Sequence, residues 1–191
     1  MNSIIVEKNG IYVEKRSRFL SYVFNCLSKE DGEKLLKNLR KEHSSARHIC
    51  YASSVDGNIS YNDDREPAGT AGAQLALILS KYNLVNTLLV VVRYFGGVKL
   101  GTSGLANAYK TSAEMCVADN TREVFLKEKF SVKCAYPSFD QVKKLLTSNG
   151  IEIFDQNFGD EVSFNVYLSQ DEVSFMPQSC VLSSLGEKEY M

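Results

Sequence analysis

The sequence predicts an α+β protein of two domains, and three observations carry that expectation. Hydrophobic residues make up 44% of the 191 and charged residues 24%. Disordered chains hold fewer apolar residues and more uncompensated charge, so this is the composition of a folded globular protein. Short apolar alternations, the mark of strands, interleave with helical stripes along the whole chain. Finally, the pattern changes character between residues 121 and 128. Beyond that point it reads strand, helix, strand, strand, helix, strand, the order of a ferredoxin-like β-α-β-β-α-β sandwich. The expected domains are residues 1–125 and 126–191.

In the first domain, Asn9-Gly10 lies between Ile4-Ile5-Val6 and Ile11-Tyr12-Val13. Asn-Gly favours a type I′ turn, so residues 4–15 read as a two-stranded hairpin. Arg18 to Leu27 reads as a third strand. Ser28 and Asp31 form a capping-box pattern, and Leu35, Leu36 and Leu39 give a helical stripe over residues 29–43. Glu30/Lys34 and Glu33/Lys37 stand four apart in the favourable order on its outer face. His48 to Val55 reads as a strand, Asp56-Gly57 as a turn, and Asn58 to Tyr61 as the partner strand. Residues 71–82 are apolar nearly all round, as a largely buried helix would be. Thr87 to Tyr94, a continuous β-branched run, suits a central strand covered on both faces. From Leu105 a second helical face follows.

In the second domain Lys129 to Tyr136 reads as a strand, and Ser138 to Ser148 as a helix ended by Gly150. Strands over Ile151–Phe158 and Val162–Leu168 flank a Gly159-Asp160 turn. Ser169 and Glu172 form a capping box, and a strand near 185–190 closes the chain. Pro177 requires the last helix to be short or kinked.

The net charge of −1 excludes a polybasic tail. Divided between the domains it is uneven. The first holds 16 Lys+Arg against 13 Asp+Glu, a net of +3; the second holds 6 against 10, a net of −4. The charge-free stretch Pro67 to Ser80 is shorter than the roughly 20 residues of a membrane span, so no membrane partner is expected. The N-terminus does not read as a signal peptide. Cys26, Cys50, Cys116, Cys134 and Cys180 are widely spaced, with no CxxC pair. Reduced thiols in a cytoplasmic protein account for them best.

Half of the glycines fall in two loops of the first domain. One carries Arg65, Gly69, Thr70 and Gly72 into the apolar helix. The other carries Arg93, Tyr94, Phe95, Gly96, Gly97, Lys99, Gly101 and Thr102 from the central strand into the next helix. A helix N-terminus offers unpaired N–H donors and partial positive charge, which suit phosphate. Arg65, Arg93 and Lys99 would complete such an anion site, and Tyr94 or Phe95 would stand beside a base. Gly96 to Thr102 lacks the Lys of a phosphate loop, and G-x-G-x-x-G is absent, so no nucleotide cofactor is expected. The same glycines and hydroxyls also serve tight turns and caps without any ligand.

A second constellation is acidic. Asp63, Asp64 and Glu66, with His48 or His43, would ligate a hard cation such as Mg²⁺ in a hydrolase of a small phosphorylated or nucleotide substrate. Carboxylates at this spacing equally make Asx turns and helix caps. No HExxH motif or second carboxylate cluster supports the metal.

The stretches Ser17-Arg18-Phe19, Ala46 to Ala52 (ARHICYA), Asp63 to Gly72 (DDREPAGTAG) and Arg93 to Thr102 (RYFGGVKLGT) resemble the motifs of the IMPACT family, in its bacterial YigZ-like branch. The likeness covers roughly residues 15–120, and the tail from about 129 resembles the family's bacterial C-terminal domain. Two positions depart from the family pattern: Arg65 and Ser103 stand where glycine is usual. The resemblance implies a first domain folded like the second domain of small-subunit ribosomal protein five, an α/β sandwich, and like the fourth domain of elongation factor G. It implies a second, ferredoxin-like domain similar to that factor's fifth. It further implies RNA or ribosome binding, inferred for bacterial members from fold. Eukaryotic relatives act in translational control through an additional N-terminal interaction domain, which this chain is expected to lack. The leading expectation is a non-enzymatic, RNA- or ribosome-associated regulatory protein. A metal-dependent hydrolase and a protein-interaction adaptor docking a basic partner on the acidic domain are the alternatives.

Overall fold

The chain divides after Val124 into two units, residues 1–124 and 125–191. The computed structural model describes residues 1–55 and 57–191. In the first unit the elements are β1 (Asn2–Ile4), β2 (Lys8–Glu14), β3 (Ser17–Asn25), α1 (Lys29–Glu42), β4 (His48–Val55), β5 (Asn58–Asn62), α2 (Gly72–Lys81), β6 (Thr87–Tyr94), α3 (Gly101–Val117) and β7 (Thr121–Glu123). Strands β2-β3-β6-β4-β5 form one antiparallel sheet, and β1 pairs with β7. Asp56 of the expected Asp56-Gly57 turn lies outside the described residues.

The β-branched run of β6 becomes the middle strand, buried from Thr87 to Arg93. Its two faces feed two cores. Leu89 and Val91 pack with Phe19, Val23, Cys50 and Ala52 beneath α2 and α3. Leu88, Val90 and Val92 pack with Cys26 and Ile49 against Leu39 of α1. The period-2 alternation of strand side chains thus gives one sheet helices on both faces. Ser28 caps α1 by accepting the Asp31 N–H.

The hairpin at Asn9-Gly10 does not form: β2 runs straight through it. The turn falls instead at Lys15-Arg16, both left-handed at φ 44 and 66, and joins Glu14 to Ser17 in register. Packing decides against Gly10. A Cβ there would lie 3.2 Å from Ser21 Oγ of the neighbouring strand β3, a tight approach, and 3.5 Å from Cys116 Sγ of α3. The glycine serves this approach, and two ordinary residues accept the turn conformation.

In the second unit β8 (Leu126–Cys134), α4 (Tyr136–Ser148), β9 (Phe154–Phe158), β10 (Val162–Leu168), α5 (Gln170–Ser174) and β11 (Cys180–Tyr190) follow in the expected order. The sheet is antiparallel, β11-β8-β10-β9, as a ferredoxin-like sandwich requires. Val132, Val142, Leu146, Phe164 and Val166 form its core. The Ser169–Glu172 capping box is present, and α5 ends three residues before Pro177. Its last strand starts at Cys180, well before the expected 185, pairing Cys180 with Cys134 across the sheet.

Candidate nucleic-acid interface

Sheet register decides what meets at one end of the first unit. Arg18 pairs with Tyr94, His48 with Arg93, and Tyr51 with Asn62. The β2–β3 turn, the segment before β4, the 63–71 loop and the 95–100 loop therefore gather at one end of one sheet.

Beneath these loops the acidic residues and Arg93 turn inward. Asp63 accepts the Ala71 N–H at 3.0 Å and the Gly69 N–H at 3.1 Å, one on each carboxylate oxygen. It thereby caps the approach to α2, whose own N-cap, Ala71, makes no side-chain bond. Asp64 accepts the Ile49 N–H at 2.7 Å, and its carbonyl accepts His48 Nδ1–H at 2.8 Å. Glu66 is buried. Its Oε1 accepts Arg93 Nη1–H at 2.6 Å and the Tyr109 hydroxyl at 2.9 Å, with His48 Nε2 3.7 Å away. Each carboxylate thus has its own protein partners, and the structure does not turn Asp63, Asp64, Glu66 and His48 toward a common point. Among the described residues no group of three His, Cys, Asp or Glu could hold a metal ion.

Arg93 is only 6% exposed, ion-paired to Glu66, so it is not the mobile phosphate contact that the loop pattern suggested. Its guanidinium lies 5.5 Å from the Phe19 ring centroid and 5.6 Å from that of Phe95. Its Nε–H is buried with no hydrogen-bond partner, a state that costs roughly 1–3 kcal/mol.

Cys50 completes the layer, donating to the Asp63 carbonyl at 3.1 Å. Burial, reinforced by the nearby carboxylates against the Tyr109 hydrogen bond, pushes its thiol up to about 12. Its thiolate is thus disfavoured in the fold. In the folded protein at pH 8, Cys50 is expected to resist a thiol reagent and to react only in denaturant. Mass mapping of the labelled site checks this. Because the folded value lies above the ordinary 9.0, this thiol's stabilising contribution is complete below pH 9 and is lost as pH rises from there toward 12.

The outward face is basic. Lys15, Arg16, Arg18, Arg47, Arg65 and Lys99 are all exposed. Among the described residues none of the six has a carboxylate within ion-pair distance. Arg65 stands with Asp64 in a tight turn closed by the Glu66 N–H to the Asp63 carbonyl, at φ 66 and 41. A side chain in this region costs on the order of 1–2 kcal/mol relative to glycine. Arg65→Gly is therefore expected to stabilise the fold by up to about 1 kcal/mol net of its unfolded-state entropy, measured by urea denaturation. It also removes one of the exposed cations.

The two glycine loops differ in what they leave free. In the first, the Asp63 carboxylate takes the Gly69 and Ala71 N–H groups, and the Thr70 hydroxyl donates to the Pro67 carbonyl at 2.6 Å. A Cβ on Gly72 would overlap the backbone of Asn62. This loop is closed on itself. In the second, Gly96 lies against the backbone of Arg16 and Ser17, and Gly97 and Gly101 take φ 84 and 73. Alpha-helix α3 then starts with no side-chain cap, its first residues Gly101, Thr102 and Ser103 exposed. Tyr94 is turned aside, its hydroxyl 2.9 Å from His43 Nδ1. Phe95 is 43% exposed, with the Arg47 guanidinium 5.8 Å from its centroid. It borders a groove of about 430 Å³, whose apolar lining is Pro67, Phe95, Leu100 and Leu105. Arg47, Arg93 and Lys99 reach it, and Gly101 and Thr102 close one end.

Lys15, Arg16, Arg18 and Arg47 were not among the expected site residues. With the turn assigned to Asn9-Gly10, nothing placed Lys15 and Arg16 beside the glycine loops. A turn at Lys15-Arg16 would have brought them there.

The Impact N-terminal domain matches residues 15–117, and a domain of unknown function, DUF1949, matches residues 132–174. The chain is similar to an IMPACT family member of Haemophilus influenzae, 30% identical over 97% of this chain and 95% of that one. It is similar to YigZ of Escherichia coli, 30% identical over 84% and 81%, and to YvyE of Bacillus subtilis, 29% identical over 87% and 78%. A crystal structure described as a hypothetical protein superposes with TM-score 0.67 at 26% identity, covering 97% of both chains. With the Impact N-terminal domain matched over more than half of the chain and the Haemophilus influenzae relative aligned almost end to end at 30% identity, the chain belongs to the IMPACT family.

Proposed function

We propose that this protein is a translation-associated regulator that binds RNA, ribosomal RNA included, through the loop end of its first domain. One observation carries the reading: six exposed cations from four separate segments, none ion-paired among the described residues, share one end of the sheet, while the carboxylates among them are buried or already bonded. Exposed cations of this kind neutralise phosphate and release counterions, which supplies affinity without bulk charge. The +3 of the first domain is modest, so placement has to do what net charge does not. The family's implied kinship with translation-factor domains supports RNA over other polyanions; that support is analogy of fold.

The test is fluorescence anisotropy with a labelled ribosomal-RNA stem–loop across a salt series. Arg16→Ala, Arg18→Ala and Arg47→Ala combined are expected to weaken binding at least tenfold. They should also flatten the log–log salt slope by about 2, at roughly 0.7 per phosphate contact. Unchanged affinity and slope in a folded triple variant would remove RNA from this face.

A further inference from the structure

The early start of β11 brings two thiols face to face in the second unit. Cys134, the last residue of β8, pairs directly with Cys180, the first of β11. Opposed residues of an antiparallel pair send their side chains to the same face of the sheet. Both do so here: Cys134 belongs to the core of the unit, and Cys180 packs against that core. Opposed Cα atoms stand roughly 4.5–5.5 Å apart, inside the span of about 4.4–6.8 Å that a disulfide bridges. Exposure separates the two sulfurs. Cys134 is 2% exposed, whereas Cys180 is partly open to solvent. Cys26, Cys50 and Cys116 are at most 1% exposed and belong to the first unit, so Cys180 is the most accessible of the five thiols.

We propose that Cys134 and Cys180 are an oxidation site, joined into a reversible disulfide by hydrogen peroxide, with Cys180 attacking and Cys134 resolving. The Cys180 thiolate attacks one peroxide oxygen and the O–O bond breaks. The departing hydroxide leaves as water with the proton that the thiol gave up, and Cys180 becomes a sulfenic acid. The Cys134 sulfur then displaces the sulfenic hydroxyl, the S–S bond forms, and a second water carries off the Cys134 proton. The two thiols lose two electrons, and the peroxide gains them. The surroundings favour this order. Burial raises both thiols, but at Cys180 hydrogen bonds with Ser179 and Cys134 offset part of the rise, while at Cys134 the Cys180 sulfur adds to it. Cross-strand Cβ atoms start farther apart than the roughly 3.8 Å of a relaxed disulfide. The bond therefore forms under strain and returns readily to thiols. It fastens the edge strand β11 to the inner strand β8. This inference is independent of the RNA reading.

The experiment treats the reduced full chain with a small excess of hydrogen peroxide and blocks the remaining thiols with iodoacetamide. Digestion without reductant and mass spectrometry then map the products. The expected product is one linkage within a single chain, Cys134 to Cys180, two hydrogens lighter than the thiols and reversed by dithiothreitol. Cys134→Ala is expected to leave Cys180 as a sulfenic acid that dimedone traps. Cys180→Ala is expected to slow the oxidation of Cys134 at least roughly tenfold, because the buried thiol then meets peroxide alone. Circular dichroism establishes that each variant is folded. The linkage in the native chain is read without any variant, so a variant that fails to fold leaves the test intact. If peroxide leaves both thiols free, carries Cys180 to the sulfinic acid with no linkage, or joins Cys180 of two chains, the proposal is overturned.

Discussion

Glu66→Ala is expected to lower the stability of the first domain by about 3–5 kcal/mol, the usual result of deleting one partner of a buried ion pair. Oε1 of Glu66 accepts from Arg93 of β6 and from Tyr109 of α3 while its own residue belongs to the 63–71 loop. Removing it leaves the Arg93 charge buried with no counterion, beside an Nε–H that is already unmet. It also frees the Tyr109 hydroxyl in a position of no exposure. Glu66→Gln keeps an acceptor without the charge and should fall between alanine and the native protein. Glu66→Leu combined with Arg93→Met should lose far less than the two singles added together, because neither charge then remains unpaired. Urea denaturation of the five variants, the Glu66→Leu and Arg93→Met singles included, measures this. A loss below about 1 kcal/mol for Glu66→Ala would mean that the pair does not tie the loop to the sheet.

This network explains what the sequence made visible and what it hid. The β-branched run Thr87–Tyr94 and the strand His48–Val55 were legible to the residue, since burial on both faces leaves few alternatives to an unbroken apolar string. The ferredoxin-like order was legible from its turns and its Ser169–Glu172 capping box. The role of Asp63-Asp64-x-Glu66 was not. Acidic residues ahead of a helix look alike whether they meet a cation, a backbone N–H or an arginine, and only the fold shows that all three carboxylates are spoken for. Arg93 was partly legible. It stands two and four residues beyond Val91 and Leu89, and alternation sends all three to the face under α2 and α3. The basic face was the least legible feature, because its members are gathered by strand register across nearly ninety residues of chain and share no motif.

Gly96→Ala is the second large effect. A Cβ at Gly96 would fall inside the contact radius of the carbonyl of Arg16 and the amide nitrogen of Ser17. The Gly96 N–H also donates to Ser17 Oγ at 3.2 Å, so backbone lies on backbone where the 95–100 loop passes the β2–β3 turn. Neither side can yield by rotating a side chain. Alanine must push the turn and the loop apart, at a cost of about 2–3 kcal/mol, toward the upper range for overpacking. Arg16 and Arg18 ride on one of these segments and Lys99 on the other, so RNA affinity should fall with stability. Gly97→Ala isolates the other possible cause. Its φ of 84 also disfavours a side chain, but open space surrounds it, so the expected loss is about 1 kcal/mol from backbone strain alone. Thermal denaturation and RNA anisotropy on the pair decide the matter. Equal, mild losses at both positions would show that the turn and the loop are not locked together, and that the cations are held in place by something else.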